Sequence, residues 1–189
     1  MNPLQQRILK DGVVKSASAL DASGFLTKQV DVALLNWCAQ AIAEHYRDAG
    51  IDKVITIEAG GIAIGTLTAL ALNLPLVVCK KAASILDNDE LYTESVQSFT
   101  KNTQYTLTCD KRHLQGGERV LFVDDFLAHG QALLGMKSLC DQSGATLAGL
   151  GIVVEKSFQD GRGIADQLGL PLHSLARLHS LEGGISFAD

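Results

Sequence analysis

Short apolar runs alternate along the chain with longer stretches in which apolar residues recur at helical spacing. The runs contain few polar residues, which is typical of parallel strands covered on both faces. Alternation of strands and helices predicts an α/β fold with a central, mostly parallel sheet, right-handed crossovers and flanking helices. The predicted strands are 53–57, 76–79, 120–123, 147–154 and 172–178, and the predicted helices are 32–48, 61–72, 131–140 and 163–168.

Two segments do not follow this alternation. Residues 82–117 form a long polar stretch with weakly alternating pieces at 94–100 and 104–109, which predicts a hairpin or a flexible lid. An insertion of this length in a compact domain is often an active-site lid, although a surface loop without a role in the active site fits the pattern equally well. Residues 17–31 have no strong periodicity and predict a loop whose last residue, Asp31, caps the following helix.

Composition and charge restrict the class of protein. The chain has 189 residues, 47% of them hydrophobic, which fits one domain with a sizeable core. The net charge is −5 and no dense Lys/Arg stripe is present, so we expect no nucleic-acid partner. We also expect no membrane span and no signal peptide, and hence a cytoplasmic protein. Its four widely spaced cysteines predict reduced, mostly buried thiols.

The third predicted strand is followed by two adjacent carboxylates, Asp124 and Asp125, and then by Gly130 and a helix. The carboxyl ends of parallel strands are where open α/β sheets bind ligands. Free amides and the dipole at the start of the helix favour an anion, typically a phosphate. Two carboxylates beside an anion site suit a ribose 5-phosphate. An exposed strand end with a helix cap is the simpler alternative for the acid pair alone.

The run Asp-Asp-Phe-Leu-Ala-His-Gly-Gln-Ala, residues 124–132, resembles the phosphoribosyl-diphosphate (PRPP) signature of the type I phosphoribosyltransferases. The resemblance implies one domain over residues 1–189, with a hood from about 1–30 and the C-terminal segment, and a flexible lid at about 82–117. It also implies that Asp124 and Asp125 are catalytic. His129 stands where we would expect Asn. The implied PRPP-binding residues of this run are Ala128, His129, Gly130, Gln131 and Ala132.

A second loop, Glu58-Ala59-Gly60-Gly61, follows the first predicted strand and opens the next helix. By itself it could indicate only tight packing. By resemblance it is the diphosphate loop, in which we expect a strained, cis peptide between Ala59 and Gly60. Lys81, at the end of the second strand, matches the basic residue of the family that faces the diphosphate. The resemblance further implies Mg²⁺, held mainly by the substrate rather than by protein ligands.

Lys156 ends the fourth predicted strand. An ammonium group only donates hydrogen bonds, so it prefers a carbonyl oxygen to the amino group of adenine. The resemblance implies that Lys156 recognises a 6-oxopurine and that Leu20 and Thr27 of the hood contact the base. Thr27 stands where we would expect Asn. The expected acceptor is xanthine; guanine and hypoxanthine remain open. Phe158 could pack near the base or in the core, and the core is the expected position.

The resemblance implies purine salvage with PRPP and a purine as small-molecule substrates, and it also implies a homodimer. A non-catalytic nucleotide sensor on the same fold is the alternative from a different class. Sensors of this kind carry a DNA-binding domain, and the residues before the first core strand are too few for both a hood and a winged helix.

Overall fold

An eight-stranded sheet forms the centre of the computed structural model, which describes residues 1–82, 90–98 and 103–188. In chain order the elements are α1 (Pro3–Asp11), β1 (Val13–Ser16), β2 (Ala19–Asp21), α2 (Ser23–Leu26), α3 (Val32–Tyr46), β3 (Lys53–Ile57), α4 (Gly60–Leu72), β4 (Leu76–Ala82), β5 (Leu91–Ser98), β6 (Thr103–Asp110), β7 (Arg119–Leu127), α5 (Gln131–Ser143), β8 (Thr146–Lys156), α6 (Gly161–Gln167), β9 (Leu172–Ser180) and β10 (Ser186–Phe187).

The order of the strands in the sheet is β10-β9-β8-β7-β3-β4-β6-β5. The five strands from β9 to β4 are parallel, while β10, β6 and β5 pair antiparallel with their neighbours. The α/β prediction and its mostly parallel sheet are therefore confirmed. Among the described residues, no helix is both long and apolar enough to cross a membrane.

Both faces of the sheet are buried, which explains why the parallel strands show no polar alternation. Along β7, Leu121 and Val123 join the core on the side of α3 and α4. Val120 and Phe122 join a second core on the side of α5 and α6. All four cysteines are free and buried, as predicted.

The third strand is longer than its predicted range of 120–123. The pairing of β7 with β3 ends at Phe122. The pairing of β7 with β8 continues to Leu127, which lies opposite Glu155 of β8. Because the long strand β8 supplies a hydrogen-bonding partner beyond the end of β3, the backbone remains extended through the acid pair. Asp124 and Asp125 consequently lie within a strand and not after it.

The N-terminal residues have more regular structure than the predicted loop. Helix α1 begins with a capping box between Asn2 and Gln5, and it buries Leu4 and Ile8. Strands β1 and β2 form a separate antiparallel hairpin, which α2 follows. The predicted cap of α3 is confirmed, because the Asp31 carboxylate accepts a hydrogen bond from the Leu34 amide.

The polar segment 82–117 contains the antiparallel strands β5 and β6, which extend the main sheet beyond β4. Helix α5 packs against β5, since the Ser138 hydroxyl donates a hydrogen bond to Glu94 and the Gln142 amide donates to the Thr93 carbonyl at 3.0 Å. The predicted lid also includes residues 83–89 and 99–102, which lie outside the described residues.

Candidate active site

The acid pair lies on β7 where β3 has ended and β8 alone remains as a neighbour. The side chains are half-buried, and the Asp125 amide donates a hydrogen bond to the Asp124 carboxylate at 3.0 Å. Burial raises the pKa of both carboxyls, and the charge of Asp125 raises the pKa of Asp124 further. The positive charge of Lys81 acts in the opposite direction on both. The site therefore places two adjacent carboxyls, whose ionised forms are disfavoured by burial, near a cation at one end of the sheet.

Residues 128–132, here called the anion loop after the ligand that the sequence predicts, connect β7 to the start of α5. Gly130 precedes the helix with φ of 78°, a conformation that glycine adopts without strain. No side chain among the described residues caps α5, so its first amides are left for a ligand. A β-carbon on Gly130 would lie 2.7 Å from the Ile164 side chain, which leaves no space for a larger residue. The Gly161 amide fixes the loop by donating to the Ala128 carbonyl at 2.9 Å.

A cleft of about 630 Å³, including its open mouth, lies in front of this loop. It brings Asp124, Lys81 and the loop 128–132 together, as the sequence predicted. The hairpin contributes Gln97 and Tyr105, and the Lys81 ammonium is 5.2 Å from the centre of the Tyr105 ring. These two residues were missed, because only the pairing of β6 with β4 places them here. The remaining lining residues are Phe122, Phe126, Leu127, Leu133 and Ile152.

The loop 58–61 contacts the acid pair directly. A β-carbon on Gly60 would lie 2.7 Å from Cγ of Asp125, and one on Gly61 would lie 2.8 Å from Oδ1 of Asp124. Glycine at both positions is therefore required by the carboxylates that the backbone touches. Hydrogen bonds from the Lys81 amide and the Lys80 ammonium to the Glu58 carboxylate hold its pKa below the usual range and fasten the loop to β4.

The cis peptide of this loop joins Glu58 to Ala59, so the prediction of a cis bond between Ala59 and Gly60 was wrong. Ala59 is the N-cap of α4 with backbone angles in the helical region, and Gly60 is the first residue of that helix. The peptide between them is part of the helix start, and helical geometry requires it to be trans.

Thr56 is a buried polar residue of β3. Its hydroxyl donates to the Val123 carbonyl at 2.6 Å, one residue past the last backbone pairing of β3 with β7. Gly61 packs so closely on Thr56 that no β-carbon would fit between them. Thr56 therefore joins β7 to the loop 58–61 immediately before the acid pair. A threonine within an apolar strand was the only signal of this role.

Lys156, at the end of β8, lies on the side of the hood. Its ammonium donates to the Ser18 carbonyl at 2.8 Å and is 5.8 Å from the centre of the Phe126 ring. Burial lowers the pKa of Lys156. Phe126 also lines the cleft, so it links Lys156 to the anion loop. Ser18 lies in the β1–β2 hairpin that carries Leu20, so Lys156 and Leu20 are brought to the same region.

The two N-terminal residues predicted to contact the base differ in exposure. Leu20 is buried in the core cluster that also contains Leu121, whereas Thr27, at the end of α2, is exposed. Leu20, Thr27 and Lys156 do not line the cleft in front of the anion loop. Phe158 is 39% exposed and does not belong to the core as expected, because it lies in the surface connection between β8 and α6.

The loop 128–132 thus follows a buried strand, with the acid pair beside it and the glycine loop 58–61 pressed against the acids. Residues 28–166 match the model of the phosphoribosyl transferase domain, and the chain belongs to that family.

Relatives in that family match almost the whole chain. The xanthine phosphoribosyltransferase of Pseudomonas entomophila is 45% identical over 185 residues, covering 98% of this chain and 97% of that protein. The protein of the same name from Streptococcus pneumoniae strain CGSP14 is 46% identical, covering 97% of this chain and 95% of that protein.

Solved structures agree with the fold. The adenine phosphoribosyltransferase of Giardia lamblia superposes with a TM-score of 0.78 at 24% identity, covering 95% of this chain and 99% of that one. The adenine phosphoribosyltransferase of Trypanosoma brucei has a TM-score of 0.77 at 20% identity, covering 93% of this chain and 79% of that one. At this identity the likeness concerns the fold alone.

Proposed function

We propose that this protein transfers the 5-phosphoribosyl group from PRPP to N9 of xanthine, giving xanthosine 5′-monophosphate and diphosphate in purine salvage. The anion loop beside the acid pair, which suits a ribose 5-phosphate, is the observation that carries the transfer. Xanthine as the acceptor is supported by the 44–46% identity over nearly the full length to proteins named xanthine phosphoribosyltransferase.

The donor half of the reaction is assigned to three groups of residues. The amides of 128–132 bind the 5-phosphate, a remote handle whose binding energy orients the sugar. Asp124 and Asp125 accept hydrogen bonds from the two ribose hydroxyls and lie near the positive charge that develops on the ribose. Lys81 and the loop 58–61 bind the diphosphate and stabilise the charge that it acquires on leaving.

In the transfer, the bond between C1 of the ribose and the diphosphate oxygen breaks and a bond from N9 of the base to C1 forms on the opposite face. The base releases its N9 proton to water, and the anomeric centre is inverted. Because xanthine loses a proton comparatively easily, no strong general base is required. No residue of this chain is therefore assigned that role.

Mg²⁺ fits this site as an ion that arrives with the donor. No group of three or more His, Cys, Asp or Glu side chains that could hold a metal is found among the described residues. Mg²⁺ commonly keeps substrate phosphates as ligands and takes few from the protein. When bound, it offsets the negative charge of the diphosphate.

Lys156 is proposed to donate a hydrogen bond to the 6-oxygen of the base, with Leu20 and Thr27 as further contacts from the hood. Its ammonium already bonds to a carbonyl oxygen, that of Ser18, which is the kind of acceptor that this role requires. Guanine and hypoxanthine carry the same 6-oxygen, so a transferase that prefers one of them is the alternative. We further propose that the chain forms a single domain and assembles as a homodimer. We also propose a cytoplasmic location, because free thiols are typical of a reducing compartment.

The test is formation of nucleotide from PRPP and Mg²⁺ with xanthine, guanine, hypoxanthine or adenine, each supplied alone. We expect xanthine to give the highest kcat/KM. Preference for guanine or hypoxanthine would keep the reaction and change the acceptor. If none of the four bases yields nucleotide, the transferase proposal fails and a nucleotide sensor replaces it.

Two variants test the residue roles. Asp124→Asn combined with Asp125→Asn should lower kcat by orders of magnitude, whereas Asp141→Asn, which removes a surface carboxylate paired with Lys137, should not. Lys156→Ala should raise the KM for the base more than the KM for PRPP. Equal effects on both substrates would remove Lys156 from base recognition.

A further inference from the structure

Glu155 is a fully buried carboxylate that the proposed reaction does not use. Arg162 holds it with two hydrogen bonds, from Nε at 2.7 Å and from Nη2 at 2.6 Å. The Ser157 hydroxyl donates to it at 2.7 Å, and Nε of Arg177 is 3.6 Å away. Burial alone would raise the pKa of Glu155, but these hydrogen bonds outweigh it and keep the pKa below the usual range. The group is therefore an ionised carboxylate inside the fold.

Glu155 lies between Lys156, which is proposed to bind the base, and the anion loop, which is proposed to bind the 5-phosphate. It is the residue before Lys156 at the end of β8, and its carboxylate faces arginines of α6 and β9. Its partner Arg162 lies in the first turn of α6, on the other side of the short connection from β8.

Helix α6 supports the anion loop. The amide of its first residue, Gly161, donates to the Ala128 carbonyl, and the Ile164 side chain fills the space beside Gly130. A β-carbon on Gly161 would lie 2.7 Å from the Leu127 side chain, so the contact between α6 and the loop is tight. The bidentate pair of Glu155 with Arg162 thus connects α6, and through α6 the anion loop, to the end of β8.

A buried ion pair is not needed for stability alone, because well-packed apolar residues of similar volume usually serve as well or better. Its bidentate geometry, by contrast, fixes orientation as well as distance. We propose that Glu155 is a positioning residue. Through Arg162 it fixes the distance and orientation between Lys156 and the anion loop, so that the acceptor base and the 5-phosphate are bound at the separation that the transfer requires. This inference rests on the proposed transferase function.

The first test measures KM for PRPP and for xanthine, kcat and the melting temperature of Glu155→Gln and of Arg162→Met. We expect KM to rise for both substrates, roughly tenfold as is typical when a supporting partner of a ligand-binding group is lost. Glu44→Gln is the matched control, since it removes a carboxylate paired with Arg47 on the exposed surface of α3. It should change neither KM. A lower melting temperature with both KM values unchanged would show a purely structural role and overturn the proposal.

A double-variant cycle separates positioning from general loosening. Glu155→Gln placed on a Lys156→Ala background should leave the KM for xanthine as it is in Lys156→Ala alone, while still raising the KM for PRPP. An undiminished further rise in the KM for xanthine would show that Glu155 does not act through Lys156. If Glu155→Gln fails to fold, Ser157→Ala takes its place. That variant removes one hydrogen bond from the carboxylate while keeping both charges, and a smaller shift in the same direction is expected.

Binding of ribose 5-phosphate, measured by calorimetry, distinguishes failure of this inference from failure of the proposed function. This ligand tests the anion loop without any acceptor. Glu155→Gln should weaken its binding roughly tenfold relative to the wild type and to Glu44→Gln. Equal affinity in all three proteins would overturn the coupling to the loop, even if nucleotide formation by the wild type were established.

Discussion

Replacing Asp124 by Asn should make the protein more stable while it removes turnover. Burial and the neighbouring carboxylate both raise the pKa of Asp124, which means that the folded state disfavours its ionised form. An amide of the same shape carries no charge, and its oxygen can still accept the hydrogen bond from the Asp125 amide. Relief of such strain at a functional site typically adds about 1 kcal/mol to the free energy of unfolding. For a chain of this size that corresponds to a rise in melting temperature of roughly 2–4 °C.

Folding stability depends on pH because the folded and unfolded states bind different numbers of protons. The pKa of Asp124 is higher in the folded state than its ordinary value of 3.8. At any pH between the ordinary pKa and the pKa in the folded state, the folded protein therefore binds more protons than the unfolded chain. The stability of the wild type therefore falls as pH rises through this window, and the Asn variant avoids that loss. Its advantage should be greatest near neutral pH and should shrink as pH approaches the ordinary value.

Differential scanning calorimetry without Mg²⁺ or substrate, at several pH values from about 7.5 to about 4.5, provides the measurement. Asp110→Asn is the control, because the pKa of Asp110 is shifted in the direction opposite to that of Asp124. Hydrogen bonds from Arg112 hold the pKa of Asp110 below its ordinary value, so removal of that charge should lower the melting temperature or leave it unchanged. A melting temperature that falls in Asp124→Asn, or an advantage that does not vary with pH, would refute the reasoning.

Three further substitutions test the geometry around the cleft. Gly130→Ala meets a φ of 78° and the Ile164 side chain, so calorimetry should show a loss of stability of about 1–2 kcal/mol and kinetics a higher KM for PRPP. Thr56→Val leaves the Val123 carbonyl without its hydroxyl donor and should cost about 1–3 kcal/mol in chemical unfolding, whereas Thr56→Ser should cost less. Lys81→Met should raise the KM for PRPP with little effect on the KM for the base; a dominant effect on the base would contradict its place at the diphosphate.

Much of the central sheet could be predicted because its signals are local. The strand Lys53–Ile57 was predicted at its observed bounds, and the helix predicted at 131–140 is α5, which ends three residues later at Ser143 before Gly144. The anion loop and the acid pair were also accessible, since they occupy consecutive positions whose chemistry is readable without the fold. Helix α1 was missed although its signals, Pro3 and the Asn2 capping box, are local too.

Other parts of the site depend on contacts between distant segments. Gln97 and Tyr105 face the cleft only because an antiparallel hairpin extends the parallel sheet, and weak alternation could not specify that pairing. Glu155, directly before a lysine, suggests a solvated strand end; its burial follows from arginines on α6 and β9. The length of β7 depends likewise on its neighbour β8.

Strand β5 lies at the edge of the sheet, where backbone hydrogen bonds are usually among the first to open. In this fold its outer side is held by α5, through Ser138, Gln142 and the close approach of Gly135 to Val96. Helix α5, which begins at the cleft, is thus packed along its length against the edge of the sheet. Amide hydrogen exchange should therefore report β5 and α5 opening together, and a phosphate bound at the start of the helix should slow exchange in a strand that it does not touch.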